Sequence, residues 1–570
     1  VRPFTFGTRR PNSTPVPPVT PQSPVAEGLG ERGRVGSGES LGIDTAPQPT
    51  GASRHRLRSE SMIPRRRLLR TAALGVGAIA ATGAGITWQL SGPRTLGATI
   101  RSAARLPEPF ILPGAVPSTL APERVDAAGD HYRIVQRRAV REILPGYRTE
   151  IWGYNGEFPG PTIRARSGRP ALVTHRNELA VPTVAHLHGG HTPAESDGYP
   201  TDYVHPSQER LYTYPHQQAA ATLWYHDHRM DFSGPSVWRG LAGFHLIGDE
   251  EEDGLGLPSG ERDLPLLLCD RAFDAAGQLV YPAVDPTAQH SPGVTGDYMQ
   301  GVQGDVVLVN GVPWPRYDVA SVRYRLRWLN GSNARVYRLR FDGPHRTAPG
   351  FVQIGSDGGL LDAPQHLDAL DMAPGERVDT IVDLTGYRPG DEVTVVNDLG
   401  EGRTVEVLRL RVTRTEPDTS RIPDHLARIE RFDPKSAVRR RDLHFHMGEM
   451  PQMTGMSGDS EAKGWLIDDR PFDPDRTDLT VRLGEWEIWR LTANFNHPVH
   501  VHLNPFQVLS RNGREPLPSD RGWKDTVHLP AGQALELAIR FTGYTGRFML
   551  HCHNLEHEDM AMMANLAVTQ

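Results

Sequence analysis

One short stretch of this chain, His551-Cys552-His553-Asn554-Leu555-Glu556-His557 followed by Met562, gathers a thiol, three imidazoles and a thioether. One thiolate, imidazoles and a long axial thioether make up the ligand set of a blue copper electron-transfer site. If the stretch around Cys552 is a β-strand, its side chains alternate between faces. Cys552 then points one way, and His551 and His553 point the other. One strand would feed two metal sites on opposite sides, joined through a single residue's backbone.

Three more clusters share this geometry. HPVHVH holds His497, His500 and His502, HLHGG holds His186 and His188, and WYHDH holds His226 and His228. Strand alternation puts His500 and His502 on one face and His497 on the other. Cys552, His557, Met562 and His497 therefore sort into one site. His186, His188, His226, His228, His500, His502, His551 and His553 remain, and eight imidazoles without a carboxylate or thiolate suffice for three copper ions. A lone H-x-H pair is ordinarily a solvated or hydrogen-bonded strand pair. Four clusters at ligand spacing beside a Cys–Met element are not accounted for in that way.

With these motifs, the chain from about residue 105 to its C-terminus resembles the three-domain multicopper oxidases: laccases, bilirubin oxidases, spore-coat-type laccases and cuprous oxidases. The resemblance implies an all-β fold of three cupredoxin-like Greek-key β-sandwich domains. It also implies four copper ions, one type 1, one type 2 and two type 3. By the same resemblance His497, Cys552 and His557 bind type 1 copper with Met562 axial. His186 and His500 bind type 2, and His188, His226, His228, His502, His551 and His553 bind the type 3 pair. One departure is Leu187, where the family usually has tryptophan. HLHGG followed by SDGYP, with HEDMAMM near the end, is most similar to the bacterial spore-coat laccase and bilirubin oxidase branch.

The implied reaction is one-electron oxidation of small reducing substrates coupled to four-electron reduction of dioxygen to water. Phenols and aromatic amines lead as substrates, with bilirubin-like pigments and Cu(I) or Fe(II) as alternatives. Electrons arrive at His497 or His557 near the surface and leave Cys552 through the backbone to His551 and His553. Asp197 in SDGYP and Glu558 beside His557 are the candidate proton relays; a turn-stabilising Asp and a solvated Glu are the plainer readings. A copper-carrying electron-transfer protein needs only the Cys552 set, and a copper nitrite reductase ordinarily lacks histidines on both sides of the cysteine. One, two or four coppers per chain separate the three classes.

Other residues are less committed. His444 and His446 form a fifth H-x-H pair, read as a surface-facing strand pair because ten other histidines already fill four coppers. Met447, Met450, Met453 and Met456 follow closely; soft thioethers select Cu(I), while a loop with gap-filling methionines is the alternative. His205, His216 and His245 have no assigned role, and His191, just past HLHGG, is a candidate to orient a ligand. Cys269 lies in the apolar run DLPLLLCD and reads as an inert core cysteine, since Cys552 is its only possible disulfide partner.

Glycine and proline are abundant, 58 and 49 in 570 residues, as many short strands and turns require. The net charge of −6 is uneven: residues 1–70 hold 12 Arg against 5 acidic residues, about +7, which leaves about −13 for the rest. The acidic remainder offers no basic patch for nucleic acid. Residues 1–61 read as disordered, or as untranslated sequence ahead of Met62. Residues 62–92 read as a twin-arginine-type signal: Arg65 and Arg66, then Leu68, Leu69 and Arg70, then an uncharged Ala- and Gly-rich stretch from Thr71 to Gly92. Export to the cell envelope or beyond is expected, with a membrane anchor if the segment is not cleaved. Domain 1 is expected over 105–250, a metal-free domain 2 over 255–415, and domain 3 over 420–570. Because trinuclear ligands come from both ends of the chain, the outer domains must pack together.

Overall fold

Two kinds of strand alternate along the chain. Ala171–Asn177 (ALVTHRN) alternates buried and partly exposed residues, as a strand with one covered face does. Ala221–Asp227 (ATLWYHD), Ala185–His188 (AHLH) and His497–Val501 (HPVHV) are buried at every position, the pattern of strands covered on both faces. The histidine clusters all lie on or beside strands of the second kind.

The structure, a computed structural model, describes residues 97–343, 349–449 and 463–570. They belong to one compact unit, Trp88–Gln570. Apart from the two-stranded pairing of Ala98–Ile100 with Val302–Gly304, the strands form three successive pairs of sheets. The first pair holds a four-stranded sheet, ordered Gly160–Arg166, Ala242–Gly248, Ala221–Asp227, Ala185–His188, and a five-stranded sheet built on Gly129–Arg141 and Ala171–Asn177. The second pair holds a seven-stranded sheet centred on Arg323–Asn330 and Arg377–Asp383, and a five-stranded sheet from Arg316–Ala320 to Leu370–Met372. The third holds two five-stranded sheets. One is ordered Leu479–Arg482, Met563–Thr569, Gly546–Cys552, His497–Val501, Thr526–Leu529. Neighbours in space are often distant in sequence, so the chain crosses between sheets rather than meandering.

Register carries the clusters into place. Ala185–His188 runs antiparallel to Ala221–Asp227 with His186 opposite His226. His497–Val501 runs antiparallel to Gly546–Cys552 with His500 opposite His551 and Val499 opposite Cys552. Leu187, on the other face from His186 and His188, is buried in the apolar core of the first sheet pair, so the departure from tryptophan is a packing choice away from the histidines. Cys269 is wholly buried in Asp263–Arg271, and burial pushes its thiol up to about 11. It is an inert core residue, as its apolar surroundings indicate.

Buried ions tie the first and second sheet pairs. Arg327 donates from Nε to Asp263 Oδ1 at 2.7 Å and from Nη1 to Thr222 Oγ1 at 3.1 Å. Arg325 reaches Glu252 at 2.7 Å and Asp379 at 2.5 Å. Removing one partner from such a pair costs about 3–5 kcal/mol, because it leaves a buried charge uncompensated. No helix among the described residues is long and apolar enough to cross a membrane.

Candidate metal centre

Cys552 ends the strand Gly546–Cys552, and the chain then turns sharply. The Asn554 side chain accepts the Glu556 N–H and starts the one-turn helix Leu555–Asp559, which carries His557 back beside Cys552. Past the turn, Met562 N–H donates to the His557 carbonyl at 3.0 Å and Cys552 N–H donates to the Met562 carbonyl at 3.1 Å. The fully buried Met562 is thereby fixed next to both residues. Cys552 Sγ lies 3.4 Å from His497 Nδ1 and 3.6 Å from His557 Nδ1, and the two nitrogens are 3.1 Å apart. Both imidazoles are buried rather than at the surface, and the Trp465 ring stacks on His557 at 3.6 Å.

The eight remaining histidines converge across the first and third sheet pairs. His228, His502 and His551 form one trio, with His228 Nε2 and His502 Nε2 standing 3.3 and 3.2 Å from His551 Nε2. His188, His226 and His553 form a second trio. His186 and His500 are left over, each grouped with His188. Strand alternation could sort the histidines into one face, but only the packing of the two ends of the chain divides six of them into two trios.

These groups fit metal ions. Buried polar atoms are almost always paired, yet Nε2 of His186, His226 and His500, Nδ1 of His188 and both ring nitrogens of His553 have no partner, and at Cys552 two imidazole Nδ1 atoms crowd the thiol and each other. In a trigonal set with bonds of about 2.0 Å, ligand nitrogens stand about 3.5 Å apart, close to the spacing within the His228–His502–His551 trio. Burial depresses the imidazoles, His226 to about 3 and His228 to about 4, so they are neutral and offer lone pairs. Burial also pushes the Cys552 thiol well up, and a coordinated metal is what deprotonates such a group.

Carboxylates and carbonyls set the tautomers. His186 Nδ1 donates to the Asp197 carbonyl at 2.5 Å, and His502 Nδ1 donates to Asp197 Oδ2 at 2.7 Å. Asp197 is wholly buried, and burial raises its carboxyl well above the usual range. Glu558 is also buried, so it is not a solvated surface residue. It accepts the Ser233 hydroxyl on Oε1 at 2.5 Å, and its Oε2 lies 3.2 Å from His551 Nδ1. Burial would raise its pKa, but the Nδ1–H groups of the neutral His228 and His551 rings, facing its two oxygens, outweigh this and hold the carboxyl below the ordinary range.

Several residues escaped sequence reasoning. Asp525 and Thr526 both meet His188 Nε2 at 3.0 Å, and the Asp525 carbonyl accepts His500 Nδ1 at 2.9 Å. Neither residue lies in a histidine motif, so no spacing marked them. Asp227 faces away from His226 and His228 and accepts the Val184 N–H at 2.7 Å, which anchors the strand; burial raises its carboxyl to about 6. His191 bonds the Thr542 carbonyl at 2.9 Å and touches no clustered histidine. His216 and His245 bond each other at 2.9 Å, and His205 is exposed. Of the fifth H-x-H pair His444 is exposed, but His446 is largely covered and pairs with Asp469 at 3.0 Å, so the pair is not wholly surface-facing. Met447 packs against the core of the third sheet pair; Met450, Met453 and Met456, like the residues read as a twin-arginine-type signal, lie outside the described residues.

Known proteins share this arrangement. Two sequence profiles described as multicopper oxidase match residues 137–252 and 445–570. A laccase of Bacillus subtilis is 33% identical over 81% of this chain and 99% of its own length. A bilirubin oxidase of Albifimbria verrucaria is 32% identical over 77% of this chain and 76% of its own. The crystal structure of a multicopper oxidase from Pediococcus acidilactici superposes with a TM-score of 0.71 at 32% identity, covering 83% of this chain and 93% of that one. The three sheet pairs are cupredoxin-like Greek-key β-sandwiches, as in such structures. Sequence, fold and a buried set of thiol and imidazole ligands agree: the chain belongs to the multicopper oxidase family and is a laccase-like, copper-dependent oxidase.

Proposed function

We propose that the chain holds four copper ions and oxidises phenols or aromatic amines at the expense of dioxygen. His497, Cys552 and His557, with Met562 axial, would hold type 1 copper. His186 and His500 would hold type 2, and the trios His188–His226–His553 and His228–His502–His551 would hold one type 3 ion each. Bound copper supplies one-electron oxidation of the substrate and four-electron reduction of dioxygen to water. The observation that carries this reading is the strand end His551-Cys552-His553, whose middle residue belongs to one group and whose flanking residues belong to the two trios.

The chain's own residues do the rest. Cys552 and its neighbours give a covalent path between the two sites. Asp197, with its pKa raised by burial, holds a proton at the carboxylate oxygen not used by His502. Glu558, held ionised, accepts a proton at Oε2, while the Ser233 hydroxyl fixes Oε1. Two carboxyls whose environments push their pKa values apart divide the acid and base roles. Burial of every clustered histidine keeps bulk water from the reacting centre.

The sheet pairs support domain limits of about 105–250, 255–415 and 420–570. The Arg65-Arg66 motif supports export to the cell envelope or beyond; cell fractionation of a variant with both arginines replaced by lysine tests it, and an unchanged distribution refutes it. Copper per chain and a visible spectrum test the chemistry. Four ions and a blue band are expected, and Cys552→Ser should remove the blue band while the other ions stay; two ions in fully loaded wild type would overturn the assignment. Comparing kcat/KM for a phenol, bilirubin, Cu(I) and Fe(II) tests the substrate class. A large preference for the metal ions would replace the phenol reading with a metallo-oxidase.

A further inference from the structure

The second sheet pair contributes none of the clustered histidines, yet Arg377 extends from it toward the trinuclear group. Arg377, at the start of Arg377–Asp383, is wholly buried. Its guanidinium uses all five donors. Nη1 bonds Asp525 Oδ1 at 2.7 Å and the Gly375 carbonyl at 2.9 Å. Nη2 bonds Asp525 Oδ2 and, at 3.1 Å, the Asp357 carbonyl. Nε bonds the Thr222 carbonyl at 3.0 Å. These partners come from all three sheet pairs, so one planar fork fixes their mutual position.

Asp525 passes this order to the metal ligands. Its Oδ1 meets His188 Nε2 at 3.0 Å, leaving Nδ1 as the only lone pair that ring can offer. Its carbonyl takes His500 Nδ1 at 2.9 Å, leaving Nε2. The His188 and His500 rings stack at 3.6 Å, so displacing one disturbs the other. Two glycines make room for the arrangement. A Cβ on Gly189, the first glycine of HLHGG, would come within 2.6 Å of Arg377 Nη2, and one on Gly375 within 3.0 Å of His553 Cδ2 and 3.2 Å of His188 Cε1. Gly189, which follows His188 in its motif, thus leaves space for the Arg377–Asp525 pair.

We propose that Arg377 is a positioning residue for type 2 copper, acting through Asp525 on His500 and His188. This rests on the four-copper reading. The type 2 ion has two protein imidazoles, His186 and His500, whereas each type 3 ion has three, so weaker orientation of His500 costs the type 2 ion first. Residues that orient a metal ligand typically contribute 10–100-fold in affinity.

The test uses the full chain carrying Arg377→Lys, which keeps the charge but loses the fork, and separately Asp525→Asn, which keeps the shape. Copper per chain, the type 2 electron paramagnetic resonance signal and the blue absorbance are followed as Cu(II) is added to metal-depleted protein. The expected result is a 10–100-fold weaker type 2 uptake, with about one ion fewer per chain at limiting copper and an unchanged blue band. Type 2 uptake like wild type in both variants overturns the proposal. Parallel loss of the blue band and the type 2 signal in Asp525→Asn also overturns it, since that marks a general structural role. A wild-type protein with no type 2 signal defeats the four-copper reading itself, and is distinguishable because it appears before any substitution is made.

Discussion

Asp197 orients two imidazoles with two different atoms, so its role can be taken apart. The carbonyl receives His186 and the carboxylate receives His502. Asp197→Asn keeps both bonds, because a neutral amide oxygen accepts from His502 as the neutral carboxyl does, and removes only the proton held on the other carboxyl oxygen. A positioned proton donor contributes about 100-fold or more to turnover. Asp197→Ala removes the acceptor and leaves His502 Nδ1 unpaired in a site with no access to water, which adds about 1–3 kcal/mol. The assay is dioxygen consumption with a fast one-electron donor in excess, alongside blue absorbance. Turnover should fall in the order wild type, Asn, Ala, with the Asn variant down about 100-fold and the Ala variant further. The blue band should not change, because Asp197 is grouped with His186 and His502 and not with Cys552. Equal turnover in all three proteins, or early loss of the blue band, would refute the reasoning.

Three further outcomes are expected. Met562→Leu removes the proposed weak axial donor and should raise the type 1 reduction potential without loss of copper; an unchanged potential and spectrum would shift the axial role to Met560 or Met563. Trp465→Ala removes the ring stacked on His557, which should cost about 3–5 kcal/mol of stability and raise kcat/KM for bulky phenols relative to small donors. An unchanged ratio would show that this ring does not limit access. His175 is buried and accepts Gln136 Nε2 at 3.2 Å, and burial lowers its pKa from 6.5 to about 3. The unfolded chain therefore binds the proton more readily. His175 thus contributes stability that is complete above about pH 6.5 and is lost at about 1.4 kcal/mol per unit as pH falls toward about 3. Unfolding free energies from denaturant titrations at pH 7 and 5 should differ by about 2 kcal/mol less in His175→Gln than in wild type; equal pH slopes would refute this.

Much of the site was legible because strand alternation is local. Cys552 sits opposite in direction to His551 and His553, and His497 opposite to His500 and His502, through the two-residue period of a strand alone. The division into trios was not legible, because His228 meets His502 and His551 only where the two ends of the chain pack. Asp525 and Arg377 were invisible for the same reason: each is an ordinary charged residue until folding buries it against a histidine. Resemblance alone places His497 and His557 near the surface, but Trp465, with no spacing relation to His557, covers that ring. Glu558 stood between relay and solvated residue in sequence, since its neighbour His557 says nothing about burial; the one-turn helix settles its burial by folding it inward.

The distance along the chain between partners has a consequence for how the protein is made. His228 and His551 are 323 residues apart, and His188 and Asp525 are 337 apart. Every metal group described here draws at least one residue from His497 onward, so a chain still emerging from the ribosome has no complete ligand set, however well its earlier sheets have folded. Contacts that close such long loops form late, after the shorter-range pairings have paid most of the ordering entropy. Copper uptake is therefore a readout of finished folding: a truncated or stalled product stays colourless, and a redox-active ion is not trapped in a half-built protein where it could react without control.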